Sequence, residues 1–185
     1  VTQYQYNGLG QILEERRILT DTLSETVTYQ YDQSNRLIKT YTQTPEFNGA
    51  LARQYGTAQR YDLRGRLIGV LSSEGVAALA AYSSPTAAQI DDAYRRYGTT
   101  YVYDQAGRVI SETGPQGTIN VGGTNVEWVP AARILYFYDA DGALAYQVNP
   151  LGEVTGYRYD ALNRRTAVIS FVDVIGNPAA LAGGD

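Results

Sequence analysis

One pattern, Tyr-x-Tyr-Asp-x-x-Gly-Arg-Leu, returns six times along the 185 residues. The copies read YQYNGLGQI from Tyr4, YQYDQSNRL from Tyr29, QRYDLRGRL from Gln59, YVYDQAGRV from Tyr101, YFYDADGAL from Tyr136 and YRYDALNRR from Tyr157. A supersecondary unit repeated in tandem specifies an array in which each unit leans on its neighbours, not a compact domain around one pocket. Function is therefore sought first in what an extended β surface can do.

Each copy opens with aromatics at alternate positions: Tyr4 and Tyr6, Tyr29 and Tyr31, Tyr61 alone, Tyr101 and Tyr103, Tyr136 and Tyr138, Tyr157 and Tyr159. Alternation of this kind puts the rings on one face of a strand. Next stands Asn7, Asp32, Asp62, Asp104, Asp139 or Asp160, a short side chain able to bond the backbone two residues on and start a turn. Three residues further come Gly10, Asn35, Gly65, Gly107, Gly142 and Asn163. Gly and Asn are the residues that enter the left-handed region at low cost. A type I turn followed by such a residue is the three-residue hairpin connection with a bulge. Aliphatic residues then resume, except in the sixth copy, where Arg165 takes the first place. Each copy is thus read as a β-hairpin.

A lone two-stranded hairpin is marginal in water, so the units must stack. Eleven of the seventeen tyrosines fall in the Tyr-x-Tyr slots, and stacking brings them into rows. Fourteen of the fifteen basic residues are Arg, with Arg36, Arg66, Arg108 and Arg164 directly after the turn residue. Arg lies flat on Tyr rings and grips carboxylates with two bonds, so these residues read as the mortar of the sheet.

The motif and connectors such as Asn149-Pro150-Leu151-Gly152 resemble the YD repeats of rearrangement-hotspot (RHS) proteins, from about Tyr4 to Ile169. Relatives of that kind include bacterial polymorphic toxins, the B and C components of insecticidal toxin complexes, and the YD shell of teneurins. The resemblance implies a mostly β fold, tandem antiparallel hairpins forming an extended curved sheet that is part of a hollow β-shell. In the bacterial toxins such a shell encloses a toxic C-terminal domain, which implies a secreted or cell-surface virulence protein whose partners are the rest of its shell and the enclosed effector. Those shells close with an Asp-Pro-x-Gly-Leu segment linked to self-cleavage. Here Asn149-Pro150-Leu151-Gly152-Glu153 has Asn for Asp and Glu for Leu, and its spacing before Tyr157 makes it an ordinary turn.

Length and composition narrow the field. Six hairpins are too few to close a large shell, so the chain reads as a fragment of a longer protein. Hydrophobic content of 44% supports a folded structure. With no Cys there is no disulfide or thiolate metal site, and with no His the usual neutral-pH base and transition-metal ligand are missing. No apolar stretch approaches the ~20 residues that span a bilayer. A net charge of −4 argues against nucleic acid as partner.

The array is read over residues 1–171, with hairpins near 4–14, 29–40, 59–70, 101–112, 136–147 and 157–169. Insertions occupy 72–99 and 113–133, and 172–185 is a connector or tail. In the first insertion, Ser84-Pro85-Thr86 and Gly98 frame one short helix. Ala87, Ile90, Tyr94 and Tyr97 form its apolar stripe, and Asp91/Arg95 and Asp92/Arg96 have ion-pair spacing. In the second, two β-prone runs around Gly122-Gly123 read as an extra hairpin, which carries Trp128. That ring is expected to be buried as a seal; exposed, it would be a contact for carbohydrate or a partner.

Asp139-Ala140-Asp141-Gly142 has the beginning of a calcium loop, but Pro150 stands where the closing Glu is required. No catalytic, cofactor or metal residue is therefore assigned. The leading expectation is a non-enzymatic structural segment that encloses or scaffolds an effector. The alternatives are an adhesion module binding glycan or surface protein through Tyr-rich faces and, more remotely, a hydrolase.

Overall fold

The computed structural model describes residues 1–44, 54–122, 125–181 and 183. The chain divides into two compact units, Val1–Gly98 and Thr99–Asp185. Each is built on an antiparallel meander.

The first unit carries β1 (Thr2–Tyr6), β2 (Ile12–Ile18), β3 (Ser24–Tyr31), β4 (Leu37–Gln43), β5 (Gln54–Tyr61) and β6 (Leu67–Leu71), each hydrogen-bonded to the next. The connection between β4 and β5 lies outside the described residues. Two helices follow, α1 (Ser73–Ala80) and α2 (Ala87–Tyr97). The second unit holds β7 (Gly98–Tyr103), β8 (Val109–Thr113), β9 (Gly117–Gly122), β10 (Asn125–Val129), β11 (Arg133–Tyr138), β12 (Leu144–Val148), β13 (Val154–Tyr159) and β14 (Arg165–Ser170). Its meander runs β7-β8-β11-β12-β13-β14, while β9 and β10 pair separately as the inserted hairpin.

The turn chemistry read from sequence is the chemistry that forms the turns. Gly10, Asn35, Gly65, Gly107, Gly142 and Asn163 all have positive φ, from 58° to 85°. Each hairpin shifts register at the residue before its loop, as at Arg60/Tyr61 and Val102/Tyr103, which is the expected bulge. A seventh loop of the same kind joins β12 to β13. Asn149 N–H donates to Glu153 O, and Gly152, at φ 86°, donates to Asn149 O, both at 3.0 Å. The Asn149–Glu153 segment is thus a connector turn of repeat geometry.

The insertion of the first unit contains two helices where the sequence reading placed one. Ser72 caps α1, accepting from Gly75 N–H, and the apolar run through Val76 packs inward. Gly75 sits so close to β6 and α2 that a Cβ there would collide with the Leu71 side chain and lie 2.8 Å from Cβ of Tyr97. In α2 a complete capping box joins Thr86 and Gln89, a device missed in the sequence although its residues have the required spacing. The helix ends at Gly98, but with extended backbone at φ −117°. Leu71, Val76, Ala93 and Tyr94 make the core between sheet and helices, with Ile90 and Tyr97 packed on it. Ala87, assigned to the buried stripe, is exposed on the first turn, and Ala93 takes its place.

In the second unit Leu135 and Val148, opposed across β11 and β12, are almost fully buried. The tail after β14 folds back over it. Phe171 approaches the Tyr146 ring at 6.1 Å between centroids, Ile175 N–H donates to Gly152 O at 2.9 Å, and Arg133 donates to Leu181 O. The Trp128 side chain lies outside the described residues.

Candidate functional site

The repeat residues converge on one recurring cluster, and it forms in three steps. First, the Asx carboxylate organises its own loop. In the second repeat, Asp32 Oδ1 accepts from Ser34 N–H at 2.8 Å and Arg36 N–H at 2.9 Å. The left-handed residue closes the loop, Asn35 N–H donating to Asp32 O at 3.0 Å. Equivalent Oδ1 bonds recur at Asp62, Asp104, Asp139 and Asp160.

Second, Oδ2 of the same carboxylate takes the arginine after the turn. Nε of Arg36, Arg66, Arg108 and Arg164 donates to Asp32, Asp62, Asp104 and Asp160 at 2.6–2.7 Å. These bonds set the acidities. Backbone donation from Arg36, and then its guanidinium, holds Asp32 below the ordinary carboxylate value, and Arg66 does the same for Asp62. At Asp104 partial desolvation pushes upward, but donation from Arg108 outweighs it and the net shift is down. Asp160 is lowered chiefly by the Arg164 side chain.

Third, the second tyrosine of one repeat locks onto the strand of the repeat before it. Tyr31, Tyr61, Tyr138 and Tyr159 hydroxyls donate to the carbonyls of Ile12, Leu37, Val109 and Leu144 at 2.7–3.1 Å. The ring then lies beneath the preceding repeat's arginine. Arg36 stands 4.6 Å from the Tyr61 ring centre and Arg108 4.5 Å from Tyr138. Arg36 also reaches Asp62 O at 3.4 Å, so one guanidinium ties two successive turns together. Stacking in these steps of the ladder is arginine on tyrosine, the contact that the Arg and Tyr placement in the sequence points to.

The first tyrosine of the pair has its own acceptor. Tyr29 donates to Glu15 at 3.5 Å, Tyr136 to Glu112 at 3.1 Å and Tyr157 to Gln147 at 3.1 Å. Burial, reinforced by the bond to Glu112 and its charge, pushes Tyr136 up to about 12. Glu15, Glu112 and Gln147 share one place, three residues after the first aliphatic position, and that shared offset was the overlooked signal. The first repeat builds a neutral version of the cluster. Asn7 Nδ2 donates to Gln11 at 2.8 Å, and Gln11 Nε2 donates to Asn35 O at 3.0 Å.

Chemically, such clusters bind one another. Among the described residues no three Asp or Glu side chains come together as a metal cage. Asp92 pairs with both Arg95 and Arg96, while Asp91 departs from the expected Arg95 pairing and takes Arg60 at 2.5 Å. Arg60 in turn lies 4.4 Å from the Tyr94 ring centre, fastening α2 to β5. No helix among the described residues is long and apolar enough to cross a membrane.

Tandem β-hairpins stitched by an Asp–Arg–Tyr relay define a structural repeat protein. The family model described as RHS Repeat matches residues 138–171. The crystal structure of TcdB2-TccC3-Cdc42 aligns with 92% of the chain at 19% identity and a TM-score of 0.58. TcdB2-TccC3 without its hypervariable C-terminal region aligns equally far at 17% identity and 0.58. A Photorhabdus luminescens Tc holotoxin pore bearing a TccC3 substitution gives 92% coverage, 19% identity and 0.55. At these identities the likeness is one of fold, and the chain spans 8% of the length of each of those solved chains. No curated protein matches. The RHS Repeat match thus covers the last two repeats of the array, and over the rest of the chain the likeness to the Tc toxin structures is one of fold.

Proposed function

We propose that this chain is a non-catalytic wall segment of an RHS shell that encloses or scaffolds an effector domain in a secreted bacterial protein. One observation carries the reading. Most of the polar side chains that recur along the array are engaged with each other or with the next hairpin: Asp32, Asp62, Asp104 and Asp160 are each held by the following Arg, and the Tyr31, Tyr61, Tyr138 and Tyr159 hydroxyls by a carbonyl of the preceding repeat. Groups committed in this way rigidify a surface and are not poised to transfer protons. The solved structures of similar fold come from TcdB2-TccC3 complexes, one of them prepared without a hypervariable C-terminal region, which fits a wall built to hold exchangeable contents. The partners of this segment are then further repeats of the same shell and the enclosed domain.

The test is limited proteolysis of the complete gene product containing these repeats. A downstream domain inside an intact shell resists cleavage; substitutions that break the ladder, such as Arg108→Ala with Tyr138→Phe, should expose it at unchanged protease. Equal digestion of the downstream domain with and without an intact array would reject enclosure. Turnover of glycans or peptides by the purified chain, abolished by mutating an Asp outside the turns, would reject the non-catalytic role.

A further inference from the structure

The fifth repeat interrupts the ladder. Where Arg36 and Arg108 stand in their repeats, this one has Ala143. Everything that would receive an arginine is nevertheless in place. Asp139 Oδ1 accepts from Asp141 N–H at 3.1 Å and Ala143 N–H at 2.8 Å, the same bonds that orient Asp104 toward Arg108. Its second oxygen has no side-chain donor among the described residues. Tyr159 donates to Leu144 O at 3.1 Å, as Tyr138 does to Val109 O, so its ring takes the position that a guanidinium covers in the fourth repeat. Between the two lies an open cleft of about 770 Å³, bordered by Tyr138, Asp139, Ala143, Tyr159, Asp160 and Asn163.

We propose that this cleft is a binding site for an arginine side chain presented by a polypeptide segment from outside the array. The internal repeats supply the template. A guanidinium held by Asp104 and stacked 4.5 Å from the Tyr138 ring centre shows what the same receptor groups bind when the arginine is covalently supplied. Charge agrees with that occupant. Asp139 and Asp141 both border the cleft, whereas Asp160 is already paired with Arg164 at 2.7 Å. Arg158 also borders it, from a strand position that alternates to the face opposite Tyr159. The volume exceeds one side chain, so flanking peptide fits as well. Lysine is a poor substitute, since a compact ammonium can neither fork onto the carboxylate nor lie flat on the ring.

The test is a titration of the 15N-labelled chain with N-acetyl-L-arginine methylamide, followed by amide chemical shifts. Saturable shifts are expected at Asp139–Leu144 and Tyr159–Asn163, with the lysine analogue binding about fivefold or more weakly. Ala143→Arg fills the site from within, so it should abolish the shifts and raise Tm. Asp139→Asn provides a second check that keeps the fold, because Asn149 makes the same turn bonds at 2.9 and 3.0 Å. This variant should weaken the arginine probe about fivefold or more, the loss of a charge-assisted bond. Absence of saturable shifts, equal response to the lysine analogue, or undiminished binding in either variant would overturn the proposal.

Discussion

The Tyr138 hydroxyl donates to the Val109 carbonyl at 2.7 Å, joining the fifth repeat to the fourth at a point where the strand ladder has just shifted register. The phenol thus satisfies a carbonyl beside the bulge, and its ring serves as the floor for Arg108. Replacing Tyr138 with Phe keeps the floor and removes the bond, which should cost about 1 kcal/mol. Arg108→Lys keeps the charge and loses the fork and the stack, for a similar loss. Because both residues belong to one relay, the double mutant should lose less than the two single losses together, by about 0.5–1 kcal/mol. Urea unfolding of the four proteins measures this; strict additivity would separate the two contacts.

The turns offer a cleaner perturbation. A Cβ added at Gly107 meets no atom within 4 Å, so only its backbone, at φ +85°, resists substitution. Gly107→Val should therefore destabilise by about 1–2 kcal/mol or more, the penalty of a β-branched residue in the left-handed region. Gly107→Asn should cost much less, since Asn35 and Asn163 occupy the same place natively. Thermal melts of the pair give the answer, and equal losses would rule out backbone strain as the cause.

The turn residues were legible in the sequence because their chemistry is local. An Asx, a Gly or Asn three residues later and a flanking strand pair fix a loop whatever surrounds it. What escaped was non-local. Arg36 stacks on Tyr61 of the next repeat, and Asp91 bonds Arg60 on β5, contacts that no spacing within one repeat announces. The helix α1 went unread because its SEGVAALA run combines glycine with weak polarity contrast; its start is fixed by Ser72 and its place by packing on Leu71. The substitution at Ala143 was visible in the sequence, but only the opposed Asp139 and Tyr159 turn it into a candidate site.

Stability should fall at both ends of the pH scale for different reasons. The carboxyls of Asp32, Asp62, Asp104 and Asp160 are all lowered in the folded chain from the ordinary 3.8. Their stabilisation is therefore complete above that value and drains away as pH falls through the lowered ones. Tyr136 behaves oppositely. Raised from 10.0 to about 12, it contributes fully below pH 10 and loses that contribution as pH climbs through the folded value. Denaturant midpoints across pH should show both limbs, with Asp104→Asn reducing the acid one and Tyr136→Phe the alkaline one. An acid limb complete well above pH 3.8 would contradict the assignment.

Among the described strands β1 pairs only with β2, and β14 only with β13. Every residue of β1 is exposed, as are all but one of β14, and Arg164, paired with Asp160, keeps 72% of its side chain open to solvent. Val168, Phe171 and Val172 add apolar surface beside that edge. An unpaired strand presents a row of free N–H and C=O groups, and apolar neighbours strengthen their attraction for another strand. The isolated 185-residue chain should therefore self-associate through these edges in a concentration-dependent manner. Proline at Val168, whose partner across the ladder is Tyr157, should weaken association if the outward side of β14 is used. Sedimentation velocity over a concentration series decides the matter. A monomer at the highest concentration, with amides of β1 and β14 exchanging freely with solvent, would show that the edges do not recruit.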